Sequence, residues 1–348
     1  MDIQFLPAGC GDAIHIRFEG SDNRYHNILI DGGAEQHDIY QAGVCRALVS
    51  IQERNESIDL WIITHIDDDH IGGILRFIQD ETLRKGFDLS KTIFWYNAWH
   101  SDYPVKLSKS TQKSVDQGIR LREFLKSESI LPESITNHTR LDFYGATITV
   151  LSPRQDQLGE LFIKWQKGEA RLIEKKRDTK KASEETDYDS LIQDFDVNAF
   201  SEDNSKENGS SIAFILSHQG KSVLFCADAH PSAVCRSLKE LNYSESNRLV
   251  LEAMQVPHHG SKHNTNSEII KLIDTNRFVI SANGYNRSAL PNKETLARII
   301  HHCGKPEPEF YITHQNRRTD NIFESDKGAI KAKLNFPTQA MGSLFFYL

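Results

Sequence analysis

The sequence has few cysteines and no long apolar run, and these absences exclude several classes of protein. Its 348 residues include five cysteines, at positions 10, 45, 226, 235 and 303, none of them in a C-x-x-C pair. A disulfide framework and a thiolate zinc site are therefore not expected. No stretch approaches the roughly 20 apolar residues that span a bilayer, and the N-terminus lacks the basic and apolar parts of a signal peptide. We expect a cytoplasmic protein without a membrane segment.

Positive charge is also scarce. Lys and Arg number 41 against 48 Asp and Glu, which leaves a net charge of −7. This balance argues against a broad surface that coats nucleic acid, although bound divalent cations can still create a local phosphate site. Histidine is plentiful, with 15 residues, several of them beside carboxylates. Imidazole and carboxylate together are the ligand chemistry that suits zinc, manganese or iron.

The apolar pattern predicts strands alternating with helices in one domain that covers residues 1–348. A helix is expected over residues 37–54, a buried strand over 58–64, and a β-hairpin over 211–227 that ends at Asp228. Residues 164–210 are rich in charge and poor in large apolar side chains. We expect this segment to be a surface insertion, partly disordered, that offers a site for a protein partner.

The run His65-Ile66-Asp67-Asp68-Asp69-His70 is the most informative part of the sequence. In extended or loop conformation residues i and i+2 point to the same side, so His65, Asp67 and Asp69 can converge while His70 reaches the same pocket from the next turn. One short loop can thus hold two neighbouring cations. The Gly72-Gly73 pair that follows allows a tight reversal from strand to helix.

An acidic helix N-terminus is the alternative interpretation of this run. Asp68 and Asp69 would then cap the helix and interact with its dipole. Capping leaves both histidines, His65 and His70, without a role. We therefore favour metal binding.

The pattern H-x-D-x-D-H-x-G-G is similar to the H-x-H-x-D-H motif of the metallo-β-lactamase fold superfamily, with Asp67 in place of the second His. It resembles more closely the soluble hydrolase domain of the bacterial competence protein ComEC and its stand-alone relatives. Three further segments fit that branch: Gly9-Cys10-Gly11-Asp12-Ala13 followed by Ile30-Asp31-Gly32-Gly33, Leu224-Phe225-Cys226-Ala227-Asp228, and Val256-Pro257-His258-His259-Gly260-Ser261.

The resemblance implies roles for individual residues. His65 and Asp67 would bind a first metal, Asp69 and His70 a second, and Asp228 would bridge both. Either His258 or His259 would complete the second site, and the other would support it or face the substrate. Asp31 is expected to be a structural acceptor that supports the ligand loop. Ser261 and Lys262 would contact a phosphate or carboxylate of the substrate.

The sequence departs from the superfamily pattern at the first metal. Members commonly supply a further His from a segment before the bridging Asp, and the best candidate here is His100. The first site would therefore be weaker than the second, or oxygen-rich enough to prefer manganese. ComEC's membrane-channel segments have no counterpart in this sequence, so DNA uptake is not implied.

The resemblance implies an α/β fold of the metallo-β-lactamase type, an αββα sandwich of two mixed β-sheets with helices outside. The expected function is hydrolysis by a hydroxide bound to two divalent metals, zinc or manganese, with Asp69 and Asp67 as catalytic carboxylates and Asp69 orienting the nucleophile. A nuclease or phosphodiesterase acting on nucleic acid or nucleotides is favoured. The alternatives are a hydrolase of a small ester, lactone or peptide-like bond, and a non-catalytic metal-binding subunit of a multi-protein system, for example in defence.

Overall fold

The computed structural model describes residues 1–98, 113–132, 134–171, 185–286, 288–326, 328, 330–338 and 342–348. The strands in these residues are β1 (Asp2–Phe5), β2 (Ala13–Glu19), β3 (Tyr25–Asp31), β4 (Leu60–Ile63), β5 (Ile93–Tyr96), β6 (Arg140–Phe143), β7 (Ala146–Ser152), β8 (Ala213–His218), β9 (Lys221–Phe225), β10 (Leu249–Val250), β11 (Ala253–Gln255), β12 (Ile273–Asp274), β13 (Arg277–Ile280), β14 (Glu309–Ile312), β15 (Lys333–Asn335) and β16 (Leu344–Tyr347). The α-helices are α1 (His37–Ala42), α2 (Val44–Glu53), α3 (Asp68–Gln79), α4 (Glu81–Arg84), α5 (Lys113–Ser127), α6 (Gln155–Arg171), α7 (Lys206–Gly209), α8 (Pro231–Glu240), α9 (Ser267–Lys271), α10 (Lys293–His302) and α11 (Arg317–Asp320).

Most strands belong to two mixed sheets. The first has the strand order β16-β1-β2-β3-β4-β5 and the second β15-β14-β13-β11-β9-β8-β7-β6. Strands β3, β4 and β5 are parallel neighbours, and so are β9, β11, β13, β14 and β15, whereas the hairpin-connected strands are antiparallel. Since antiparallel neighbours need only short turns, the predicted hairpin over 211–227 is confirmed as β8 and β9.

Three apolar layers hold the sheets and helices together. Along β3, Ile28 and Ile30 belong to the cluster between the two sheets, while Leu29 packs on the helix side with side chains of α2, α3, α5 and α6. This alternation follows from the two-residue repeat of a strand. A third cluster joins the second sheet to α8, α9 and α10. The predicted αββα sandwich of two mixed sheets with outer helices is therefore confirmed.

Two sequence-based boundaries differ from the structure. The helix expected over 37–54 is divided at Gly43, where an added Cβ would lie 2.3 Å from the carbonyl oxygen of Pro7. Both ends of the segment 164–210 are structured: α6 includes Trp165, which is fully buried, and Glu207 and Asn208 of α7 are buried. The predicted surface insertion therefore covers less of the chain than residues 164–210.

The carboxyl ends of the parallel strands bring the polar segments together. Asp31 ends β3, the loop from Thr64 follows β4, Asp228 follows β9 and His258 follows β11. In open sheets with parallel strands, ligands bind in the crevice outside these strand ends. Among the described residues, no helix has both the length and the apolar character needed to cross a bilayer.

Candidate metal centre

The loop after β4 carries four of the predicted ligands. Asp67 lies at the N-terminal boundary of α3 in extended conformation, and its side chain makes no capping hydrogen bond. Instead, Asp67 Oδ1 accepts a hydrogen bond from Ser114 Oγ at 2.7 Å, and Oδ2 lies 3.9 Å from His65 Nε2. Asp68 turns away from this pocket, because its Oδ1 accepts from Gln117 Nε2 at 2.5 Å. Helix capping is thus not what positions the Asp67 side chain.

The glycine pair on α3 permits close packing of the helix against the end of β3. Gly73 N donates to Gly33 O at 2.8 Å, and Gly32 N donates to His70 O at 2.8 Å. A Cβ on Gly73 would lie 1.9 Å from the carbonyl oxygen of Gly32, far inside van der Waals contact. Only glycine fits here, which agrees with the tight reversal expected from the sequence.

Asp228 lies at the centre of the ligands, and its two oxygens separate them into two groups. Oδ2 is 3.6 Å from His65 Nε2 and 3.5 Å from His258 Nε2. Oδ1 is 3.4 Å from His70 Nε2 and 3.5 Å from His259 Nε2. Asp67 lies nearest to the first pair of histidines and Asp69 to the second. We therefore define the Oδ2 side as His65, Asp67 and His258, and the Oδ1 side as Asp69, His70 and His259.

Hydrogen bonds to Thr64 and Asp31 determine which ring nitrogens of His65 and His70 carry protons. Thr64 Oγ1 donates to Asp31 Oδ2 at 2.6 Å, so it accepts from His65 Nδ1 at 3.1 Å. His70 Nδ1 donates to Asp31 Oδ2 at 2.8 Å. In the neutral form that metal ligation requires, an imidazole has one N–H, so the Nε2 atoms of both rings would then present lone pairs to Asp228. Asp31 occupies the supporting position expected from the sequence.

The loop after β11 places its two histidines on opposite sides of Asp228. His258 and His259 have φ values of 48° and 55°, a left-handed conformation that is rare for non-glycine residues. The turn is held by His258 N, which donates to Ala227 O at 2.8 Å, and by Ser261 N, which donates to His258 O at 2.9 Å. Consecutive left-handed residues are strained, and such strain clusters at functional sites.

The carboxylates of the two sides differ in acidity. Burial and the charge of Asp69 raise the pKa of Asp67 to about 7, although 32% of the Asp67 side chain is exposed. Burial opposes ionisation of Asp69 as well, but its contact with His259 and the charge of His70 lower its pKa to about 2. Burial also acts against ionisation of Asp228, and the charges of the surrounding histidines hold its pKa well below the usual range.

The imidazole pKa values differ in the opposite direction: that of His65 is lowered, whereas those of His70 and His259 are raised. Burial and the charge of His70 lower the pKa of His65 to about 4. Burial acts against protonation of His259, but the charge of Asp228 and the contact with Asp69 raise its pKa to about 9. The pKa of His70 is likewise raised, against the effect of burial, by Asp228 and Asp31. On the Oδ1 side, protons bound to the imidazoles balance the negative charge of the carboxylates. On the Oδ2 side, a proton bound to Asp67 does so.

The residues present fit divalent cations. Four buried polar atoms of the pocket have no hydrogen-bond partner among the described residues: Asp12 Oδ1, His65 Nε2, Asp228 Oδ1 and His259 Nδ1. Buried polar atoms normally have partners, so the three of these that belong to Asp228, to its neighbour Asp12 and to His65, which faces Asp228, indicate a missing ligand. Asp12, His70, Asp228 and His259 each offer a ligand atom within 4.8 Å of the others. Imidazole nitrogens and carboxylate oxygens are the donors that zinc and manganese accept.

Sequence reasoning missed Asp12. It was part of a matching segment but was not assigned as a ligand, because it precedes β2 and is more than 50 residues from His65 in the chain. Its backbone N donates to Asp69 O at 3.1 Å, and Gly11 beside it leaves no space for a Cβ, which would lie 2.1 Å from that same oxygen. A glycine directly before an acidic residue is the sequence signal for this close approach between two loops. His100, the candidate for the first metal, lies outside the described residues.

A cavity of about 420 Å³ opens beside His258. Ser261 and Lys262, the predicted substrate contacts, both line it. Ser261 is buried, and Lys262 has a 42% exposed side chain whose Nζ lies 3.4 Å from Glu294. The volume lies within the range of small-molecule sites. The structure therefore brings these two residues to the same cavity as His258, and their contact with a substrate stays a prediction.

Residues 185–204 form one wall of this cavity, through Ser201, Glu202, Asp203 and Asn204. Two buried cations of α10 hold the segment by its backbone. Arg298 donates to Val197 O at 3.1 Å and to Ala199 O at 2.9 Å, and Lys293 Nζ donates to Ser190 O at 2.7 Å. Hydrogen bonds from charged donors are stronger than neutral ones, so a segment with few apolar side chains keeps a defined path.

A family model described as "Metallo-beta-lactamase superfamily" matches residues 22–124. This range is less than half of the chain and contains the whole ligand loop from His65 to His70. The sandwich of two mixed sheets, the ligands at the strand ends and this match agree on the metallo-β-lactamase fold. No curated protein sequence matches the chain.

Similar solved structures span nearly the full chain at low identity. The metallo-beta-lactamase fold protein YhfI from Bacillus subtilis is 11% identical, with 99% of this chain and 98% of that chain covered and a TM-score of 0.42. Zn(2+)-bound PqqB from Methylobacterium extorquens is 10% identical, with 100% of each chain covered and a TM-score of 0.44. A diphosphatase from the PhnP family is 11% identical, with 99% and 98% covered and a TM-score of 0.42.

Proposed function

We propose that this protein is a dinuclear metal-dependent hydrolase, with phosphodiesters of nucleotides or nucleic acid as its substrate class. The observation that carries the proposal is the division of the ligands between the two oxygens of Asp228. His65 and Asp67 would hold one cation on Oδ2, and Asp69, His70 and His259 the other on Oδ1. Two such cations, zinc or manganese, would activate water and stabilise the charge that develops on the scissile group.

The chain's own residues would orient the ligands and receive the substrate. Asp31 holds His70 directly and His65 through Thr64, so both rings are fixed before any ligand arrives. Lys262 places an ammonium at the edge of the cavity, where it can attract a phosphate oxygen. The cavity volume of about 420 Å³ suits a group of nucleotide size.

A second candidate substrate class is favoured by the acidic wall of the same cavity. Glu202 and Asp203 line it together with Lys262, and carboxylates repel a polyanion. A small ester or lactone would not meet this repulsion. The resemblance to the ComEC-like branch favours the phosphodiester, and the cytoplasmic location and a protein partner stay predictions from the sequence.

The test is hydrolysis by metal-loaded protein of bis-p-nitrophenyl phosphate, single-stranded DNA and RNA, with p-nitrophenyl acetate in parallel. We expect Asp69→Asn to lower phosphodiester turnover at least about 100-fold, in the range of losses seen when one transition-state contact is removed. Asp88→Asn, which changes an exposed carboxylate paired with Lys91, should leave it unchanged. Phosphodiester turnover equal in the unmodified protein and Asp69→Asn would refute this substrate class, and faster ester cleavage that Asp69→Asn abolishes would establish the second.

A further inference from the structure

His258 faces the same carboxylate oxygen as His65. Its Nε2 lies 3.5 Å from Asp228 Oδ2, and His65 Nε2 lies 3.6 Å from that atom. His259, its neighbour in the chain, faces Oδ1 instead. The two adjacent histidines of this turn thus face different oxygens of Asp228, so each has a separate position in the site.

The hydrogen bond at the other ring nitrogen determines the tautomer of His258. Its Nδ1 lies 2.9 Å from Asn264 Oδ1. The orientation of the Asn264 amide follows from its Nδ2, which donates to Asp228 O at 3.1 Å and to Asp203 Oδ2 at 3.3 Å. Asn208 Nδ2 is more distant from His258 Nδ1, at 3.5 Å, and donates to Asp203 Oδ2 at 2.6 Å. His258 Nδ1 therefore carries the proton and donates to Asn264.

With the proton on Nδ1, the Nε2 of His258 has a lone pair directed at a carboxylate oxygen. Two acceptors that face each other at 3.5 Å repel unless a cation lies between them. Asp203 Oδ2, 3.7 Å from Nδ1, adds negative charge behind the ring and strengthens Nε2 as a donor to a cation. A carboxylate or carbonyl behind a ligating imidazole is the usual support for such a ligand.

We propose that His258 is a protein ligand of the Oδ2-side cation, beside His65, Asp67 and Asp228, and that Asn264 holds it for this purpose. This inference rests on the proposed dinuclear centre. It gives each side two imidazoles, one terminal carboxylate and one oxygen of Asp228, while Asp12 adds a further carboxylate beside His70 and His259 on the Oδ1 side. The Oδ2 side then has four donors without His100, so it is less deficient than the sequence suggested.

The test counts metal ions and does not depend on turnover. Apoprotein is titrated with Co²⁺, with the bound metal quantified and the visible absorption of the Co²⁺ followed. We expect two equivalents for the unmodified protein and one tight equivalent for His258→Ala, with the same spectral component lost in His65→Ala. His301→Ala, which removes an exposed imidazole on α10, should retain two equivalents. Two equivalents at unchanged affinity in His258→Ala would overturn the assignment.

A second variant covers the case in which His258→Ala does not fold. Asn264→Ala keeps the imidazole and removes only its partner, so we expect two equivalents with a 10-fold to 100-fold weaker Oδ2 side, the usual effect of losing such a partner. Unchanged affinity on both sides would contradict the role of Asn264. If His258→Ala loses one metal but the unmodified protein hydrolyses none of the substrates, the proposed function fails and the ligand assignment stands. If the unmodified protein is active and His258→Ala keeps both metals, the ligand assignment fails and the proposed function stands.

Discussion

The two sides of Asp228 have similar donors, apart from Asp12 on the Oδ1 side, but their imidazoles differ in exposure. On the Oδ1 side the rings of His70 and His259 are sealed, with side-chain exposures of 0% and 2%. On the Oδ2 side His65 is equally sealed, but 27% of the His258 side chain is exposed to the cavity. Side chains of the same type therefore differ in their exposure to the cavity, so the exposure of a predicted ligand is independent of its type. Under the proposed function, a substrate in the cavity would reach the Oδ2 side at the exposed edge of His258.

The two sides also differ in what balances their charge when no cation is bound. Protonated imidazoles do so on the Oδ1 side, where the pKa of His259 is raised to about 9 by Asp228 and Asp69 against the effect of burial. On the Oδ2 side the pKa of His65 is lowered to about 4 by burial and His70, so a proton on Asp67 has that role. Metal binding must displace these different protons.

The largest effect is expected from the residue that the two sides share. Asp228→Asn keeps the shape of the side chain and removes its charge, so both cations should bind at least about 100-fold more weakly. His259→Ala, the matched variant on one side, should weaken only the Oδ1 cation. Metal titration of the two variants measures this difference. An Asp228→Asn protein that keeps one cation at unchanged affinity would show that Asp228 does not bridge.

A smaller effect on both sides is expected from Asp31→Asn. Asp31 orients His70 directly and His65 through Thr64, so its replacement should weaken each cation about 10-fold to 100-fold. Thr64→Val removes only the acceptor for His65 Nδ1 and keeps the Asp31 carboxylate. It should therefore weaken the Oδ2 side more than the Oδ1 side. Equal losses in Thr64→Val would indicate that Thr64 supports the loop as a whole.

The smallest effect is a difference in pH dependence. His259 and His70 must both lose a proton to ligate, so the Oδ1-side affinity should fall at least about tenfold for each pH unit below the His259 pKa of about 9. Asp67 must be ionised, so with a pKa of about 7 the Oδ2-side affinity should stay constant from pH 9 to 7 and fall below that. Titrations of His258→Ala and His259→Ala at pH 7, 8 and 9 report the two sides separately.

Ser114→Ala is the control for this pH dependence. The Ser114 hydroxyl lowers the Asp67 pKa, so its removal should raise the pH below which the Oδ2-side affinity falls. It should leave the Oδ1-side profile unchanged. A parallel response of both sides between pH 7 and 9 would contradict the difference in charge balance.

The resemblance of the motif segments to the metallo-β-lactamase superfamily was sufficient to predict the sandwich. The convergence of His65, Asp67 and Asp69 could be predicted locally, because residues two apart in extended conformation point to the same side; their role as metal ligands stays a prediction. Asn264 lies six residues after His258, but its role depends on contacts with Asp203 and Asp228, which are distant in the chain. The position of Asp12 depends on packing against the loop that carries Asp69, and Gly11 was a weak local signal of it. The division of His258 and His259 depends on two left-handed residues, which no side-chain pattern signals. The break at Gly43 likewise depends on contact with Pro7.

Arg298 is fully buried on α10, yet its guanidinium reaches the backbone carbonyl groups of Val197 and Ala199 and also that of Thr265. It therefore links the wall of the cavity to the loop that follows His258. The position of this wall thus depends on a side chain that is itself hidden from solvent. Under the proposed function, substitutions at Arg298 would alter the shape of the cavity and the choice of substrate without changing any predicted metal ligand.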